Sequence, residues 1–119
     1  MSTELSGVVA ENIQAINLHD LDAFMATFAT DAYVNDNRRQ INGTRAILRW
    51  AEKEIFGDNV TVDPVEVTDH YGETIITGRW DGTYDKTNIP DELIMASYYG
   101  VDDGKIVSLT IINNQASDY

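Results

Sequence analysis

Apolar residues change their repeat for good near Gly57. Before it, apart from a short alternating stretch at 32–36, they recur every three or four residues, and after it they alternate every second residue. Strands with no helical spacing between them cannot be joined by the regular helical crossovers of a parallel sheet. The pattern predicts an α+β architecture in which N-terminal helices pack against one mostly antiparallel sheet.

The first stripe runs from Leu5 to Leu18 through Val8, Val9, Ile13 and Ile16, with Asn12 inside it. Asp20 is placed to cap a short second helix containing Leu21, Phe24, Met25 and Phe28, and Asp31 marks the exit into a strand over residues 32–36. Alternation in that strand sets Val34 and Asp36 on one face, so a carboxylate shares the side of a β-branched core residue. Thr44 opens a third helix carrying Ala46, Ile47, Trp50, Ala51 and Ile55, which ends before Gly57.

In the sheet half, Val60 and Val62 are out of phase with Val65 and Val67 across Asp63-Pro64, which predicts a bend in one long strand. Tyr71-Gly72 turns into residues 73–84, where Ile76, Trp80 and Tyr84 share the apolar face. Beyond a loop from Asp85 to Pro90, residues 92–101 and 105–114 form two strands joined at Asp102-Asp103-Gly104, residues that tolerate positive φ. No repeat, linker or low-complexity segment divides the 119 residues, so one domain over 1–119 with a single core and one principal pocket is expected.

Twenty acidic against eight basic residues give a formal charge of −12, which opposes nucleic acid and anionic membranes as partners. The absence of cysteine removes disulfides, thiolate nucleophiles and thiolate metal sites. His19 and His70 read as surface residues at turns, acidic spacings do not match a calcium loop, and no phosphate-binding glycine loop or Ser-His-Asp set can be assembled. No metal or cofactor is therefore expected. The start Met1-Ser2-Thr3-Glu4 lacks a basic segment and an apolar run, and no stretch reaches membrane-spanning length, so a cytoplasmic location is expected.

The runs Asn17-Leu18-His19-Asp20-Leu21-Asp22-Ala23-Phe24, Phe28-Ala29-Thr30-Asp31-Ala32-Tyr33-Val34-Asn35-Asp36 and Gly43-Thr44-Arg45-Ala46-Ile47, in this order, resemble the nuclear transport factor 2-like superfamily, which includes ketosteroid isomerases and SnoaL-like polyketide cyclases. That resemblance implies a cone-shaped fold: three N-terminal helices held in a strongly curved sheet around a pocket for a small apolar or cyclic molecule. It also implies pairing of two copies through the outer faces of their sheets. On this chain the outward residues would be Met95, Ser97, Tyr99, Ser108, Thr110 and Ile112.

The isomerase pattern Asp-Ala-x-Val-x-Asp ends on its catalytic base, a position matched by Asp36. Its tyrosine and protonated aspartic acid donors fall on Asn12 and Ala96, so strict ketosteroid isomerisation is not expected, because the enolate oxygen would lack its donors. Trp50 matches an aromatic pocket residue, and Gly104-Lys105-Ile106-Val107-Ser108-Leu109 matches the closing strand. Tyr84 stands where a SnoaL-like cyclase carries a histidine.

The expected site is Asp36 as general base, with Asn12, Trp50, Trp80, Tyr84, Ala96, Leu109, Ile111 and Asn113 around the substrate. Arg38 and Arg39 read as a solvated hairpin tip, or as groups that orient the base or hold a substrate carboxylate. Asp36 has a plain alternative as a turn former at a strand end. Two function classes remain open: an isomerase, cyclase or hydratase using Asp36, and a non-catalytic ligand-binding or dimeric interaction module.

Overall fold

The computed structural model describes residues 7–70, 73–83, 87 and 93–113. Helix α1 (Gly7–Asn17) and α2 (Leu21–Ala26) lead into β1 (Phe28–Asp36) and β2 (Arg39–Asn42). Helix α3 (Gly43–Trp50) continues as a π-helical turn over Ala51–Ile55, and four strands complete the fold: β3 (Thr61–His70), β4 (Glu73–Asp81), β5 (Leu93–Asp102) and β6 (Lys105–Asn113). They form one six-stranded sheet in the order β2-β1-β6-β5-β4-β3, antiparallel except where β1 lies parallel to β6. This is the expected α+β fold, with a few helices packed on a curved sheet.

The α1 stripe buries Val9, Ile13 and Ile16 on the sheet, and Leu5 lies outside the described residues. Asp20 caps α2 by accepting from the Ala23 amide at 3.1 Å. That helix is shorter than its sequence pattern: it stops at Ala26, and Phe28 opens β1 instead, where its ring packs edge-on against Phe24 at 5.2 Å. Thr44 does not cap α3; Asn42 takes that position, and the Thr44 hydroxyl donates to the Thr30 carbonyl at 3.1 Å. Strand β2 is an element that periodicity missed, since its four residues are too few to show alternation.

Strand β3 changes register between Pro64 and Glu66, which leaves Val65 half exposed while Val62 and Val67 are buried. The bend predicted at Asp63-Pro64 lies there. A second bulge corrects the expected outer face. At the β5–β6 hairpin, Asp102 pairs with Lys105 and Val101 with Ile106, but Gly100 then pairs with Ser108, so Val107 is an extra residue. Without it Ile111 would face Ala96; with it Ile111 faces Ser97, and Leu109 faces Tyr99. One residue of slip exchanges the two faces of a strand. Met95, Ser97 and Tyr99 are therefore buried on the inner side rather than outward, and the outer row runs through Ala96, Tyr98, Thr110 and Ile112.

Candidate functional site

Two cross-strand rows on the inner face place the site. One row runs Asp36, Ile111, Ser97, Ile76 and Val67, and the next runs Asn113, Met95, Gly78 and Pro64. Beyond them Leu93 pairs with Trp80 and Trp80 with Val62. The π-helical turn crosses above these rows, and between it and the sheet opens a cleft of about 320 Å³. Asp36, Asn37, Arg39, Trp50, Glu54 and Trp80 are among its lining residues, with Ile55, Asp58, Val60, Leu93 and Met95 completing the wall.

Asp36 is held from three sides. The Trp50 indole N–H donates to its Oδ2 at 3.0 Å, Arg39 Nη2 contacts the same oxygen at 2.6 Å, and Asn37 Nδ2 donates to Oδ1 at 3.2 Å. The Asp36 side chain keeps 15% of its exposure, enough to meet a ligand in the cleft. Arg39 also donates to both oxygens of Glu54, at 2.8 and 2.6 Å, so one guanidinium bridges two carboxylates. These bonds raise the Arg39 pKa further and hold the Glu54 carboxyl below its ordinary value.

Local sequence explains this geometry. Asn37 and Arg38 take positive φ at the tip of a two-residue hairpin, which sets Arg39 directly across from Asp36 in the ladder. Arg39 is thus a strand residue beside the carboxylate and not part of the tip. In α3 and its continuation, Trp50 and Glu54 are four residues apart, a helical spacing that stacks them on one side. The wider π turn, in which the Phe56 amide donates to the Ala51 carbonyl at 2.8 Å, ends that side over the cleft.

The other expected site residues separate into several places. Trp80 joins Asp36 and Trp50 at the cleft. Leu109 and Ile111 are buried on the inner face but do not line it. Asn113 continues their phase yet is exposed, and its backbone amide donates to Asn37 Oδ1 at 3.0 Å. Ala96 lies on the outer row because of the bulge at Val107. Tyr84 lies outside the described residues.

Asn12 is fully buried and away from the cleft. Its amide donates to Thr27 Oγ1 at 3.0 Å, its carbonyl accepts from the Tyr99 hydroxyl at 2.9 Å, and Thr27 in turn donates to the Phe24 carbonyl at 2.6 Å. Among the described residues, every buried side-chain nitrogen and oxygen has a hydrogen-bond partner. Burial pushes the Tyr99 phenol above its ordinary value, which keeps the donor form.

Glu54 and Asp58 are lining residues that sequence reasoning did not single out, and Met95, expected on the outer face, lines the cleft as well. Glu54 carried a usable signal, its four-residue spacing from Trp50. Met95 did not, because its face depends on the bulge. Among the described residues, no three His, Asp or Glu side chains converge to hold a metal, and no helix is long and apolar enough to cross a membrane.

A family model described as a SnoaL-like domain matches residues 9–109. No curated protein matches the chain. Among solved structures, a Sinorhizobium meliloti protein provisionally described as a polyketide cyclase is 26% identical, with 90% of this chain and 94% of that one covered at a TM-score of 0.80. A hypothetical protein of ketosteroid isomerase-like fold from Catenulispora acidiphila, in complex with trimethylamine, is 18% identical at a TM-score of 0.79, covering 96% and 90%. A computationally designed 17-OHP binder is 18% identical at a TM-score of 0.75, covering 90% and 88%.

Proposed function

The chain belongs to the SnoaL-like domain family, and from that premise we propose that it binds a small, largely apolar cyclic molecule in the Asp36 cleft, with Asp36 as the general base that takes a proton from it. One observation carries the reading: a carboxylate fixed by an indole N–H and a guanidinium stands at the edge of an apolar wall made by Trp80, Leu93, Met95 and Val60. The volume lies at the lower end of the roughly 300–1,000 Å³ of small-molecule sites, which suits a ligand of one or two rings.

Within Asp36 the two oxygens differ. Oδ2 accepts from Trp50 and Arg39, whereas Oδ1 has only the longer bond from Asn37 and is the atom open to a substrate proton. Once Asp36 takes that proton, Arg39 keeps Glu54 as its anionic partner, so the cation is not stranded. The indole of Trp50 and the guanidinium of Arg39 already serve carboxylates, which leaves an enolate oxygen without the paired donors of an isomerase. Activation of water, or proton transfer at a carbon acid whose anion is delocalised within the substrate itself, therefore fits better than ketosteroid isomerisation.

A second reading is favoured by the same three bonds: an Asp36 that never releases Arg39 would be a binding group alone, in a non-catalytic ligand carrier. Deuterium wash-in at the α-carbon of a panel of small cyclic ketones separates the two. The catalytic reading expects exchange that drops about a hundredfold or more in Asp36→Asn while ketone binding, read by tryptophan fluorescence, persists. Binding without exchange in the unaltered protein would leave only the carrier. We further propose a cytoplasmic homodimer that pairs through the outer face, where Tyr33 and Ile112 are exposed.

A further inference from the structure

We propose that the ligand of this cleft is an amphipathic organic cation, a protonated or quaternary amine carried on an apolar ring or chain. This rests on the cleft being a small-molecule site and adds the ligand's charge class.

The lining residues include three carboxylates, Asp36, Glu54 and Asp58, against one guanidinium, Arg39. Arg39 is a poor receptor for an anion, because three of its N–H groups already go to Glu54 and Asp36 and its one positive charge is shared between two carboxylates. A substrate carboxylate on its remaining N–H groups would sit beside both of them. Asp58 is half-buried, and among the described residues its carboxylate has no hydrogen-bond or ion-pair partner; only its backbone carbonyl is engaged, by Thr83. The cleft thus carries uncompensated negative charge in a partly desolvated place, where a cation gains more than it would in bulk water.

The walls add a second kind of attraction. Trp50 and Trp80 are the two tryptophans of the chain, and both line the cleft. Because the Trp50 N–H is spent on Asp36, what it offers a ligand is aromatic surface, and tryptophan rings attract ammonium groups. Leu93, Met95 and Val60 offer apolar surface for the rest of the molecule. The carboxylates do not converge on one point, which denies a compact metal ion a multidentate cage. A diffuse ammonium needs no such cage.

The test uses three benzyl probes of different charge: benzyltrimethylammonium, its neutral carbon isostere neopentylbenzene, and the smaller anion phenylacetate. Quenching of the two cleft tryptophans reports binding to the intact protein. The cation should bind about tenfold or more tighter than the isostere, and this preference should shrink in high salt. Phenylacetate should bind weakest. Asp58→Asn should lower cation affinity about threefold or more and leave neopentylbenzene unchanged, which also shows that the variant is folded. Equal or tighter binding of the neutral or anionic probe would overturn the charge class while leaving the cleft a binding site. An unchanged cation-to-neutral ratio in Asp58→Asn would overturn it too. If none of the three alters the fluorescence, the small-molecule reading falls with it.

Discussion

Tyr99→Phe should destabilise the protein by about 1–3 kcal/mol, although it removes a single oxygen. The hydroxyl donates to Asn12 Oδ1 at 2.9 Å in a place where Tyr99 is 2% and Asn12 0% exposed. Without it, the Asn12 carbonyl is buried with no donor. The lost bond itself contributes only about 1 kcal/mol; the larger part is the cost of a desolvated orphan. For a chain of this size about 1 kcal/mol corresponds to about 4 °C, so the melting temperature should fall by roughly 4–12 °C.

Asn12→Leu in the Tyr99→Phe background removes the orphan, so the second substitution should restore part of the loss instead of adding to it. Thr27 still donates to the Phe24 carbonyl at 2.6 Å, and only its acceptor role is lost. Urea unfolding followed by circular dichroism would measure the cycle, with an unchanged m-value certifying that midpoints report stability. Two results would refute the argument: a Tyr99→Phe loss under about 0.3 kcal/mol, or losses that add in the double variant.

Arg39 holds the Glu54 carboxyl below its ordinary value, so Glu54 contributes stability fully above its unfolded-state range near 4.5 and loses it as pH falls through the lower folded value. Glu54→Gln should therefore flatten the acid limb of melting temperature against pH, by less than about 1 kcal/mol after solvent screening, and a curve parallel to the parent would contradict it. Ile112→Asp, on the exposed outer row, should convert the proposed dimer to monomer in sedimentation, whereas a parent already monomeric at high concentration would end that proposal. A side chain at Gly57 would bring Cβ to 2.5 Å from the Lys53 carbonyl oxygen and 2.7 Å from that of Glu52. Gly57→Ala should cost about 1–3 kcal/mol by forcing the end of the π turn apart, and chemical denaturation showing no loss would mean the turn yields freely.

The change of repeat near Gly57 was sufficient to place the three helices before the last four strands, because helical and strand spacings are properties of the chain itself. The face of Asp36 was legible for the same reason: it lies two residues beyond the buried Val34, in a stretch of β1 with no bulge between them. Trp50 and Trp80 followed from spacing as well. The partners of Asp36 did not. Arg39 reads as a tip residue until the two-residue turn at Asn37-Arg38 is known to fold it back, and Glu54 comes from a helix that is distant in sequence order but adjacent in space.

The inner phase of β5 depended on Val107 being extra in the hairpin, an event of pairing between strands with no mark in either strand alone. That single slip moved Ala96 outward, brought Met95 to the cleft and turned Tyr99 toward Asn12. Periodicity, then, determines which residues share a face. Which face meets the core, and which charges meet across the cleft, was decided only when the strands paired and α3 closed over them.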